Sequence, residues 1–92
     1  MLTNENLLTT LQQVTAGTPA AALLANVASY GVTNMVVGPS SADHGGDFDP
    51  NTGVIAFSAN LKGYGIADLF VHEVAHAINE AHMRSRTEQL RE

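Results

Sequence analysis

The chain has no cysteine, only 4 lysines and arginines, and no long apolar run. Without cysteine there are no disulfide staples and no thiolate zinc site of the zinc-finger kind. Lys62, Arg84, Arg86 and Arg91 are outnumbered by acids, and the formal net charge is −5. Nucleic acid needs a basic face, and so does an anionic membrane surface, so neither is expected as a partner. No stretch approaches the roughly 18 apolar residues of a membrane span. The opening residues Met1 to Asn6 lack the positive start and apolar stretch of a secretory signal. Localisation stays open.

What remains is 92 residues, enough for a single domain over 1–92 with a thin core. A metal that binds only the folded state would add to its stability.

Such a metal site can be read from His72-Glu73-Val74-Ala75-His76. Residues four apart lie one above the other on a helix, so His72 and His76 can offer two imidazole nitrogens to one ion. Glu73 stands one step round, where it can take the proton of a metal-bound water. Val71, Val74, Ala75 and Ile78 follow helical spacing and predict a core-facing stripe. His72, Glu73 and His76 fall largely off it, toward a cleft.

A catalytic zinc has three protein ligands and an open position for water. His82, six residues after His76, is the leading candidate for the third. The string from His72 to His82 resembles the metzincin signature H-E-x-x-H-x-x-G-x-x-H, with Asn79 in place of the glycine. That resemblance implies a helix ending near Asn79, where a left-handed residue turns the chain so that the last histidine comes under the metal. Asn is the best non-glycine residue for that conformation. The methionine turn of that family has no clear counterpart, because Met83 follows His82 directly. The resemblance covers about the last third of the chain. It implies a zinc metallopeptidase acting on protein or peptide substrates, with Glu73 as general base and His72, His76 and His82 as ligands. The alternative is a catalytically idle zinc-binding module, or a fragment of a larger metalloprotease.

Other third ligands fit less well. Glu80 would continue the stack on the helix, too far along the axis to converge on one ion. Glu88 and Glu92 lie in the tail, and His44 lies in the loop Asp43 to Asp47. Tyr64 and His44 are candidate oxyanion donors by their loop positions alone. Asp47, Asp49 and Asn51 hint at a calcium loop, but the glycine falls one place late and Ser58 stands where a bidentate Glu belongs. They read as turn chemistry.

Helical spacing of Leu7, Leu8, Leu11 and Val14 predicts a helix from Asn4 to about Thr15, ended by Gly17. Thr18-Pro19 opens an alanine-rich helix to about Tyr30, capped by Gly31. Val32 to Val37 reads as a strand. Asp49-Pro50-Asn51-Thr52-Gly53 reads as a hairpin tip feeding the strand Val54 to Ser58, with a short extra strand near Asp47. The metal helix should run from about Ile66 to Asn79. The order α-α-β-β-α predicts an α+β fold: a small sheet with two N-terminal helices and a C-terminal metal-binding helix. It resembles the N-terminal part of zincin catalytic domains. That resemblance assigns Val54, Ile55, Ala56 and Phe57 to the strand edge that pairs with an extended substrate.

Overall fold

The computed structural model describes residues 2–38 and 45–91, and it is mixed α+β. Helices α1 (Leu7–Thr15) and α2 (Ala20–Ala25) come first, followed by a 3₁₀ turn (Val27–Tyr30). Strands β1 (Asn34–Val37), β2 (Gly46–Asp49) and β3 (Val54–Phe57) follow, and helix α3 (Tyr64–Arg91) closes the chain. Though α3 is long, no helix among the described residues is long and apolar enough to cross a membrane.

Local chemistry explains most boundaries. Helix α1 begins three residues later than its apolar spacing predicts. Before it, the Thr3 N–H donates to Asn6 Oδ1 at 2.7 Å, and the Asn6 N–H donates to Thr3 Oγ1 at 3.2 Å. Those reciprocal bonds hold residues 4–6 in a turn rather than a helix. The alanine-rich helix breaks at Asn26, whose side chain donates back to the Ala22 carbonyl at 2.8 Å. The last turn before Tyr30 therefore tightens to 3₁₀ geometry. Gly31 then ends it at φ 87°, the left-handed cap a glycine provides.

The three strands form one sheet in the order β1-β3-β2. The turn at Pro50 to Gly53 joins β2 and β3 into an antiparallel hairpin, and β1 pairs with β3 in parallel. Strand β3 is therefore central. This corrects the expectation for Val54, Ile55, Ala56 and Phe57: both edges of β3 are already hydrogen-bonded, so it cannot accept a substrate strand. Among the described strands the free edges belong to β1 and β2. Near the end of β1, the Val37 N–H is taken by Asn4 Oδ1 at 2.6 Å.

The core joins the sheet to the helices. Leu11 of α1, Ile55 and Phe57 of β3, and Phe70 and Val74 of α3 are fully buried. Ile66, Phe70, Val74 and Ala77 make the core-facing stripe of α3. The stripe expected from Val71, Val74, Ala75 and Ile78 is thus displaced: Val71, Ala75 and Ile78 are exposed, and only Val74 is shared. Strand β2 approaches α3 closely at Gly46. A Cβ there would lie 2.6 Å from Leu69 Cδ2, so only glycine fits without movement.

Candidate metal centre

His72, Glu73 and His76 come together in the buried half of α3. Their ligand atoms all lie within 4.8 Å of one another. The two imidazole Nε2 atoms are 3.0 Å apart, with ring centroids at 4.6 Å and planes at 89°. Two nitrogens on one tetrahedral zinc, each about 2.0–2.1 Å from it, stand roughly 3.3 Å apart. A few tenths of an ångström of opening would let the pair grip an ion.

The histidines are exposed, but Glu73 is only 4% exposed. Burying a carboxylate is costly unless it is compensated, and Glu73 does have a polar or charged partner within the chain. The position has a helical logic. Ile66, Phe70, Val74 and Ala77 turn inward, Glu73 lies at the margin of that face, and His72 and His76 lie just beyond it. The motif thus straddles the line between core and solvent. His72, Glu73 and His76 line a cleft of about 230 Å³ whose opposite wall is Gly46 and Asp47 of β2. This donor set, two imidazoles with an acid beside them, fits zinc and is compatible with other divalent metals that favour imidazole.

His82 does not join the cleft. Helix α3 continues through Asn79 to Arg91, and no non-glycine residue among those described has positive φ. The helix break expected at Asn79 is therefore absent. Six residues of uninterrupted helix carry His82 about 9 Å along the axis from His76 and about 120° round it. It falls in line with the exposed Val71, Ala75 and Ile78. Glu80 is held by Arg84 at 3.4 Å, and together they line a separate groove with Met83, Thr87 and Glu88. Tyr64, expected as an oxyanion donor, is 85% exposed and borders an apolar groove with Val14, Leu23 and Val71, away from the cleft. His44 and Glu92 lie outside the described residues.

Asp47 reached the cleft without being expected there, having been weighed only for calcium. Its neighbours behave as turn chemistry: Asp49 Oδ1 accepts the Asn51 N–H at 2.9 Å. Strand parity puts its side chain on the face opposite Gly46, with Ala56, so nothing in the sequence signalled its place at the cleft rim.

No protein-family model matches this chain, and neither the curated proteins nor the solved structures compared with it return a significant match.

Proposed function

We propose that this chain is a zinc-dependent metallopeptidase whose reaction centre is His72, Glu73 and His76. The supporting observation is the buried Glu73 beside two imidazoles whose Nε2 atoms are 3.0 Å apart. That pairing gives a metal-gripping face and a carboxylate shielded from bulk water at one point of the surface.

His72 and His76 would hold the ion, and a zinc ion there would supply Lewis acidity toward a water and the scissile carbonyl. Glu73 would accept the proton of the attacking water and deliver it to the leaving amine nitrogen as the C–N bond breaks. Its burial keeps competing water away from that proton.

The substrate strand belongs on β2 rather than on β3. The Ser58 N–H donates to the Gly45 carbonyl at 2.7 Å. From that bond, the alternation of an antiparallel ladder turns the backbone groups of Gly46 and Phe48 away from β3, toward the free edge. An extended peptide adding there would pass the cleft wall that Gly46 and Asp47 form.

A second reading has its own support. The unbroken helix carries His82 away, leaving the cleft without a third imidazole, which suits a metal-binding module that does not hydrolyse. Zinc stoichiometry, zinc affinity and cleavage of a quenched peptide library, measured on wild type and Glu73→Ala, separate the two. One tight zinc in both proteins, with cleavage only in wild type, supports the peptidase. Tight zinc with no cleavage in either supports the idle module. No zinc in wild type removes both.

A further inference from the structure

We propose that a second copy of this chain completes the metal site: one zinc ion is held by His72 and His76 of both copies, with the two α3 helices packed side by side along the line that these histidines begin. This rests on the metal-site reading above and goes beyond it, because it names what fills the positions that one chain leaves open.

A tetrahedral zinc takes four donors. His72 and His76 supply two, from exposed side chains one turn apart on α3. Among the described residues, only Glu73 joins them as a possible ligand, and Glu73 is buried and engaged within the chain. His82 is carried to another face by the unbroken helix. Asp47 pairs with Ala56, on the face of the sheet turned away from α3. Two positions of the ion therefore face solvent. A two-fold partner brings the same pair of imidazoles to them, because an isologous contact presents one patch to itself.

The surface around the pair suits such a contact. His72, His76, Asn79, Met83 and Leu90 recur at intervals of four, three, four and seven residues, the spacing of a coiled-coil seam. Met83 and Leu90 are exposed large apolar residues. The line lies about 135° round α3 from Ile66, Phe70, Val74 and Ala77, so each sheet stays on the outer side of the helix pair. No acid stands on this line, although the chain carries a net charge of −5. Two copies running parallel therefore meet along it without opposed carboxylates, and Met83 and Leu90 of each copy meet their own counterparts. The contact also gives the outer half of α3 a surface to pack on. Every residue from Ala81 to Leu90 is exposed in the single chain, and a helical segment without packing is held by little beyond local propensity. Four imidazoles leave a tetrahedral zinc no position for water. In the peptidase proposed above, the bridged pair is therefore the resting form, and the single chain with its own ion is the form able to act.

Zinc alone is the probe, titrated into the full chain, with mass followed by sedimentation velocity and heat by calorimetry. The expected result at limiting zinc is one ion per two chains and a doubled mass, reversed by a chelator. Excess zinc should load each chain separately and return the mass to that of one chain. His72→Ala should abolish the doubling, and His82→Ala should keep it. Because the chain has no cysteine, single cysteines report the packing. Leu90→Cys should form a disulfide between copies under mild oxidation only with zinc present, and Glu88→Cys, about 160° round the helix from Leu90, should not. Leu90 is about 21 Å along the axis from His76, too far for its replacement to reach the same ion. All four side chains are exposed, and unchanged circular dichroism checks that the variants fold. If wild type binds one zinc per chain and keeps the mass of one chain at limiting zinc, the bridge is overturned and the metal site stands. Doubling without zinc, or doubling that survives His72→Ala or is lost in His82→Ala, also overturns it. Doubling without the Leu90→Cys cross-link overturns the side-by-side helices. If wild type takes up no zinc, the metal reading falls and this one with it.

Discussion

Helix α3 is two structures in one. From Tyr64 to Ile78 it lies against the sheet and α1, and it carries every described residue of α3 that is buried. From Ala81 to Leu90 every residue is exposed. A 28-residue helix is about 42 Å long, close to the molecule's longest extent of 48 Å. The embedded half has its helicity fixed by packing, and that rigidity holds in place the His72, Glu73 and His76 group that could bind a metal ion. The outer half relies on propensity and on local pairs such as Glu80–Arg84. Its one described tie to the body is Arg84, whose guanidinium donates to the Pro50 carbonyl at 2.7 Å. Rigidity follows burial rather than helix content.

The largest test of that contrast is Phe70→Ala. Removing a fully buried ring should cost about 3–5 kcal/mol, enough to leave a domain this small close to unfolded in urea titration. Next comes Glu73→Gln, which on the proposed mechanism should lower cleavage by about 10²–10⁴-fold with zinc still bound. Retained activity would sever the embedded half from chemistry. Gly46→Ala forces a methyl against the Ala56 carbonyl of β3 and against Leu69 and should destabilise by about 1–3 kcal/mol. An unchanged melting curve would mean that β2 is held less tightly against β3 and α3 than its spacing implies. In the outer half, Arg84→Ala should cost about 1 kcal/mol or less, with faster amide exchange confined to residues beyond about 80. The smallest effect belongs to Leu90→Ala, within about 0.5 kcal/mol; a larger loss would show that the outer half packs against something.

Much of this was legible in the sequence where the determinants are local. The hairpin tip at Pro50 to Gly53, the glycine cap at Gly31 and the helical phase of His72, Glu73 and His76 each depend on a few adjacent residues. The failures share a cause as well. Helix α3 carries two apolar stripes, and a period of 3.6 cannot say whether Val71, Ala75 and Ile78 or Ile66, Phe70 and Ala77 meets the core. Asn79 tolerates the left-handed conformation but does not demand it, so the helix ran on. The central place of β3 depends on a parallel partner about twenty residues away, which no local pattern announces. Strand β2, with the polar sequence Gly-Asp-Phe-Asp, carries little strand propensity of its own and takes its shape from β3. The metal pair was therefore readable, whereas the cleft opposite it was not.

Among the described residues nothing pairs with the outer edge of β2, and this has a consequence for how the molecule behaves in company. An unpaired strand edge is a template for any extended chain, including another copy of itself. Two copies meeting antiparallel about Phe48 would bring Asp47 of each against Asp49 of the other, with like charges directly opposed. The edge thus discriminates against its own sequence while staying open to chains of different pattern. Because that protection is electrostatic, it is screened by salt, and concentrated solutions at high ionic strength are where self-pairing should first be seen.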